Sequence, residues 1–215
     1  MAASGSGRNQ ELVIRDARPG DGSGCAAAWA DAGRHVEELD PDVGQVPGAA
    51  GLDDWFEQSL ARPRPPGKIW LVAELGGQVT GFVEGVVEPP GPDAAWQIQR
   101  DLSRYRLMVG VLPVSAAFRK MGIGTALMLA IEDAARSQGA QVSLLDTSVR
   151  SDLSVPFYEH QMAYSRRAVI FRNTLPGSRS APGSDAIMLQ APRSEAPASA
   201  AGTGQLGVVD KGEDG

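Results

Sequence analysis

The residues with the clearest chemical potential lie in one short run, Arg119-Lys120-Met121-Gly122-Ile123-Gly124-Thr125. A strand signal at Tyr105–Val114 leads into it, and a helix signal at Gly122–Gln138 leaves it. The first N–H groups of a helix have no partner inside it, and they carry the positive end of the macrodipole. Gly122 and Gly124 remove side chains that would keep a ligand off that backbone. Arg119 and Lys120 add full positive charges. Together these features suit a phosphate or pyrophosphate. On these residues alone two other readings stay open. One is a tight strand-to-helix turn that binds nothing. The other is a dinucleotide-binding unit with Asp146, at the end of the next strand, as its ribose acid. Against the second, Leu127 stands at the third glycine position, and a β-hairpin precedes the motif strand.

A second reactive candidate is Glu84, a carboxylate in the otherwise apolar run Val83-Glu84-Gly85-Val86. Alternation puts Phe82, Glu84 and Val86 on one face of that strand, so the carboxylate is either functional or turned to solvent. The chain has one cysteine, Cys25, and two histidines, His35 and His160. Disulfides and cysteine-based zinc sites are therefore excluded, and no metal centre is expected. The formal net charge is −6, with pI near 5.0. An acidic chain is a poor general partner for nucleic acid or for anionic membranes, so neither partner is expected. No apolar run approaches the ~18 residues that span a bilayer, and residues 1–10 lack the apolar core of a signal peptide. A cytoplasmic location is the expectation.

Stepping outward from the motif, strand and helix signals alternate over residues 11–193. They comprise a strand at Leu12–Arg15, a helix running to about Glu38, a loop at Asp40–Gly51 broken by Pro41, Gly44, Pro47 and Gly48, and a helix at Leu52–Ala61. Next come strands Ile69–Ala73 and Val79–Val87 around Gly76-Gly77, a pair suited to a tight hairpin turn. After the motif helix follow a strand at Val142–Leu145, a short helix at Ser154–Gln161, and a closing hairpin of Ala168–Phe171 with Ala186–Leu189. On the motif helix Ile123, Leu127, Ala130, Ile131 and Ala134 share one face. The reading is an α/β fold with a mixed sheet. Residues 1–10 and 194–215 are small and polar and read as disordered tails.

Arg119-x-x-Gly122-x-Gly124, after a strand ending Val114-x-x-x-Phe118 and before an apolar helix, resembles the acyl-CoA motif of the GNAT N-acetyltransferase superfamily. Leu145-x-Thr147, Phe157-Tyr158-Glu159 and Asp185–Met188 match later segments of the family pattern, and the order of elements agrees. The sequence departs from that pattern at Ala116, where proline is usual, at Ser151, where asparagine is frequent, and at Met162-Ala163-Tyr164, where glycine precedes the aromatic residue. The resemblance implies a mixed, mostly antiparallel sheet with splayed central strands, flanked by helices. Acetyl-CoA would lie in the splay as co-substrate. Its pantetheine arm would pair with Leu112, Pro113 and Val114, and its pyrophosphate would sit on Arg119, Lys120, Met121, Gly122, Ile123, Gly124 and Thr125.

The implied reaction moves an acetyl group directly from thioester to amine. Tyr158 occupies the family position of the acid that protonates the departing thiolate. Glu84 is the candidate base, with Asp146 and Glu88 as weaker ones. The segments that would choose the acceptor carry Glu37, Glu38, Asp40, Asp42, Asp53, Asp54, Glu88, Asp93 and Asp101. An acidic rim suits a small cationic amine such as an antibiotic or polyamine, while a solvated acidic surface is the plainer account. Alternatives are a protein or peptide N-acetyltransferase and a non-catalytic acyl-CoA-binding regulatory module. Family members often pair, so a homodimer is an expectation.

Overall fold

The structure, a computed structural model, describes residues 11–174. It divides at Phe171 into two units, and the described part of the second, residues 172–174, has no regular structure. The first unit is built on a five-stranded sheet in the order β1-β2-β3-β4-β5. Its strands are β1 (Leu12–Asp16), β2 (Lys68–Leu75), β3 (Gln78–Glu88), β4 (Arg106–Val111) and β5 (Val142–Leu144). The first three pairings are antiparallel and the last is parallel. The expected mixed sheet is therefore present. Sequential antiparallel neighbours also exclude the doubly wound parallel sheet of a dinucleotide fold.

The β2–β3 turn is the two-residue loop anticipated from Gly76-Gly77: both glycines have positive φ, 61° and 85°, and Leu75 pairs with Gln78. Positive φ at both central residues matches the twist of the flanking strands. Between β3 and β4 the chain makes two 3₁₀ turns, Ala94–Trp96 and Arg100–Ser103.

The helices are α1 (Gly22–Leu39), α2 (Leu52–Ala61), α3 (Ile123–Ser137) and α4. The last is one α-turn at Ser154–Pro156 continued by a wider π-turn at Phe157–Gln161. Helix α3 covers one face of the sheet. Ile123, Leu127, Met128, Ile131 and Ala135 pack there against Ile69, Leu71, Ala73, Val83, Val87, Leu107 and Val109. Burying a side chain of this size contributes about 1.5–3 kcal/mol, so this dry layer is the main source of cohesion. Helices α1 and α2 cover the other face through aromatic rings. Phe56 of α2 packs edge-on against Trp55, Trp70 and Phe82, and Trp29 of α1 lies 6.3 Å from Phe82. The first turn of α1 is capped from α2: Glu57 accepts the N–H groups of Gly20 at 2.8 Å and Gly22 at 2.6 Å.

One expected element is corrected. Ala168–Phe171 forms no strand, and Val169, Ile170 and Phe171 stand exposed. A strand needs a ladder partner. None pairs with it among the described residues, and its expected mate, Ala186–Leu189, lies outside them. Both proposed tails also lie outside the described residues. The motif strand is shorter than expected as well. It ends at Val111, and Val114 returns only as an isolated bridge to Gly81.

Candidate active site

The parallel pairing of β4 with β5 is confined to Arg106↔Val142, Leu107↔Ser143 and Met108↔Leu144. Beyond Met108, β4 runs on to Val111 with no partner on that side among the described residues, so β4 and β5 part there. On its other edge the chain stays attached to β3. Phe82 N–H donates to Pro113 C=O at 3.0 Å, and Ser115 N–H donates to Thr80 C=O at 2.9 Å. Peptide groups of an extended chain alternate sides, so those of Leu112 and Val114 face the gap. Proline at 113 removes an N–H only from the β3 side. Opposite the gap the ladder has a bulge: Glu84 pairs with Val111 and Gly85 with Val109, which leaves Gly110 as the extra residue of β4.

The chain then makes a 3₁₀ turn at Ala116–Phe118 and enters α3 through Gly122, its N-cap, at φ 81°. No side chain among the described residues caps the helix. The N–H groups from Lys120 through Thr125 have no hydrogen-bond partner among the described residues; the first bond beyond them is Ala126 N–H to Gly122 C=O. A Cβ on Gly122 would meet nothing within 4 Å, and one on Gly124 would touch only the Phe157 ring, at 3.5 Å. The cradle is open to an anion, and its donors are unspent. Lys120, at φ 63°, is exposed beside it. The Arg119 side chain does other work. Its Nε donates to Val114 C=O and its Nη2 to Asp31 C=O, both at 3.2 Å. The Asp31 carboxylate accepts Ala116 N–H at 2.6 Å. The loop is thus tied to α1. Sequence reasoning missed Asp31, which lies 85 residues from its partner.

Tyr158 sits in the π-turn of α4, packed edge-on against Phe157 and Tyr164 at 5.0 and 5.9 Å. Burial, and secondarily the charge of Asp146, pushes its hydroxyl up to about 12. That hydroxyl has no hydrogen bond among the described residues, whereas the Tyr164 hydroxyl joins Glu132 and Ser143, each at 2.6 Å. Tyr164 N–H also donates to Tyr158 C=O at 2.8 Å. Tyr164 therefore fastens the Tyr158 turn to α3 and β5. Its sequence context, Met162-Ala163-Tyr164, gave no sign of this. Ser151, buried, caps α4 by accepting Ser154 N–H at 3.0 Å and lies 3.4 Å from His35 Nε2. Its hydroxyl is engaged inside the protein.

Glu84 is 8% exposed, on the α1–α2 face. Lys68 pairs with its Oε1, and Oε2 has no partner. Burial pushes this carboxyl above the ordinary carboxylate range, against the pull of Lys68. Trp70, directly across the ladder, leaves its buried Nε1 without a partner, as Arg106 does its Nε. These are the three buried side-chain atoms without partners among the described residues. Alternation against the α3-side residues Leu71, Val83, Leu107 and Val109 puts all three on the opposite face. Unmet hydrogen-bonding capacity is costly, and here it is concentrated on one surface. A recess of about 280 Å³ opens beside Arg106, lined by Pro92, Asp93, Gln97 and Leu102.

The acidic rim is partly neutralised: Glu88 pairs with Arg106 at 3.0 Å, Asp101 with Arg104 and Arg167, and Asp40 with Arg150 at 3.7 Å. Glu88 is thereby committed, and Asp146 is exposed. Trp29 and Trp55 belong to the aromatic layer, while Trp96 is 80% exposed. Cys25 is buried, its thiol pushed up by burial to about 12, which makes it inert. No group of three or more metal-binding side chains occurs among the described residues, and none of their helices is long and apolar enough to cross a membrane.

The comparisons with known proteins agree with this architecture. A mouse protein described as probable N-acetyltransferase family 8 member 5 is 36% identical over 95 residues, which is 43% of this chain and 37% of that protein. The chain thus spans well under half of the relative it matches. A mutant protein from Bacillus halodurans shares the fold with TM-score 0.61 at 17% identity, over 76% of this chain and 99% of that one. The aminoglycoside N-acetyltransferase AAC(6')-Iy in complex with CoA superposes with TM-score 0.51 at 17% identity, over 78% and 97%. A soil-metagenome aminoglycoside acetyltransferase in complex with sisomicin gives 0.51 at 16%, over 76% and 96%. The sequence pattern of the acetyltransferase (GNAT) family matches residues 34–164, from the middle of α1 through Tyr164. With the parted strands, the uncapped glycine-flanked helix and this match in agreement, the chain belongs to the GNAT acetyltransferase family.

Proposed function

We propose that the protein transfers an acetyl group from acetyl-CoA to the primary amine of a small cationic molecule. The observation that carries this reading is the unpartnered N–H row of Lys120–Thr125 at the mouth of the β4–β5 gap. It suits a pyrophosphate at the end of a chain that enters the gap. The Leu112 backbone and the Val114 N–H, its C=O held by Arg119, would pair with the pantetheine arm as an added strand would, and Pro113 would help line it. The donor supplies an activated thioester. The protein orients it and moves two protons.

Glu84 takes one proton from the acceptor's ammonium, freeing the lone pair that attacks the carbonyl carbon, and the second nitrogen proton leaves to solvent as the amide forms. Its raised affinity for protons brings it closer to neutral pH, where a general base works best. Backbone N–H groups facing the gap offset negative charge developing on the carbonyl oxygen. As the C–N bond forms the C–S bond breaks, and Tyr158 protonates the departing sulfur. A hydroxyl at about 12 stays protonated at neutral pH and so is available as that acid. Aminoglycoside acetyltransferases are among the proteins of similar fold, and the polar face around Glu84 suits a cationic acceptor.

The test measures CoA affinity by calorimetry and free-thiol release across classes of amine. Gly122→Val should abolish CoA binding while the fold survives, because it blocks approach to the N–H row and strains a residue at φ 81°. Wild-type affinity in a folded Gly122→Val protein removes the loop from the donor site.

A further inference from the structure

We propose that Lys68 is an internal competitor for the carboxylate that receives the acceptor, its ammonium holding Glu84 until a substrate ammonium displaces it. The inference rests on the assignment of Glu84 to the acceptor's amine made above.

Four observations point this way. First, the group on Glu84 is chemically the group the reaction consumes: a lysine side chain ends in a methylene bearing a primary ammonium, as the proposed acceptors do. Second, Lys68 and Trp70 give Glu84 the surroundings of an ammonium receptor. Lys68 Nζ lies 5.8 Å from the centre of the Trp70 ring, and Trp70 pairs directly across the ladder from Glu84. A carboxylate beside an aromatic face attracts any alkylammonium. Third, the pair is incomplete. Lys68 engages Oε1 and leaves the buried Oε2 unpartnered among the described residues, so the carboxylate keeps an acceptor oxygen that Lys68 does not use. Fourth, the cation is on the outside. The Lys68 side chain is 19% exposed against 10% for Glu84. It begins β2 just after Gly67, a turn residue at φ 78°. A flexible four-carbon stem can withdraw its charge to water without moving the strand. Arginine in the same place would grip both oxygens and stay.

The site would therefore take a primary alkylammonium, and Lys68 would set how strongly one must bind to enter. The probe is n-butylammonium, followed by NMR titration of the CoA-saturated protein near pH 7. Lys68→Met keeps the stem and removes the charge, and affinity for the probe should rise about 3–10-fold. Lys68→Arg should lower it below wild type. Adding Glu84→Gln to Lys68→Met should reverse the gain.

Unchanged or weaker binding by Lys68→Met overturns the proposal and leaves Lys68 as a charge that keeps Glu84 ionised. Failure of the probe to bind any form overturns it as well. If Lys68→Met does not fold, Lys68→Gln carries the same expectations. The two readings separate cleanly. If Glu84→Gln retains wild-type turnover while Lys68→Met still tightens the probe, the competition stands and the proton-transfer role of Glu84 falls.

Discussion

Asp21 and Glu84 are both buried, at 5% and 8% exposure, and their surroundings are opposite. Asp21 receives both ends of the Arg15 fork, at 2.7 and 2.8 Å, and the Arg18 N–H at 2.9 Å. Arg15 also reaches Glu74 at 2.9 Å. Burial raises the Asp21 carboxyl, but Arg15 and the Arg18 N–H outweigh it and hold the group below its ordinary value. Glu84 has one lysine contact and an oxygen without a partner, and burial wins. The two tyrosines near α4 repeat the contrast. Tyr164 has both hydroxyl contacts filled at 2.6 Å, while Tyr158 has none among the described residues. Fully satisfied groups hold elements together: Arg15–Asp21 ties β1 to the start of α1, and Tyr164 ties α4 to α3 and β5. On the function proposed above, Glu84 and Tyr158, the groups with spare capacity, are those whose missing partner a substrate would supply.

Substitutions can break this contrast from either side. The largest effects should fall on the unsatisfied pair. Tyr158→Phe removes one oxygen and keeps the ring, so kcat should drop about 10²–10⁴-fold with CoA affinity nearly unchanged. Retention of more than about half the turnover, with chemistry rate-limiting, would leave Tyr158 a packing residue.

Glu84→Gln should lower kcat by about 10²-fold or more without lowering Tm by more than a few degrees. The stability of the wild-type protein should also depend on pH in a defined direction through this group. The folded-state pKa of Glu84 lies above the reference value of 4.5, so the folded protein holds that proton to higher pH. Stability therefore declines as pH rises from about 4.5 through the folded value. The melting temperature of Glu84→Gln relative to wild type should climb between pH 4.5 and pH 7, and a flat difference refutes the shift.

Asp21→Asn should behave in reverse. It breaks a buried, bidentate pair and should cost about 3–5 kcal/mol, lowering Tm by roughly 6–20 °C for a domain of this size. Turnover by the folded protein at low temperature should hardly change. The Asp21 contribution is present above its reference value of 3.8 and is lost as pH falls through its depressed folded value. Acid titration of Tm should therefore converge for the two proteins below that point.

The scaffold was largely legible in the chain because its signals are local. Gly76-Gly77 announced the hairpin, the apolar stripe from Ile123 to Ala134 announced α3, and Gly122-x-Gly124 announced its open end. What escaped depends on contacts across the fold. Nothing near Lys68 marks it as the partner of Glu84, because strand register brings them together. Ser143 and Glu132 meet Tyr164 only once β5, α3 and α4 have packed. The Ala168–Phe171 strand is absent for the same reason in reverse: β-branched and aromatic composition is a weak signal when no neighbour among the described residues completes the ladder.

The clamp between α1 and the donor loop bears on how far the glycine motif can be treated as a transferable cassette. Asp31 holds Ala116 through its carboxylate and Arg119 through its carbonyl. The shape of the loop is thus set partly by a helix that ends well over seventy residues before the loop begins. A fragment carrying β4, the loop and α3 would keep every residue of the motif and lose both of these supports. Transplanting the motif into another α/β protein would require its α1 as well, and variants that spoil donor binding should be sought in that helix as much as among the glycines.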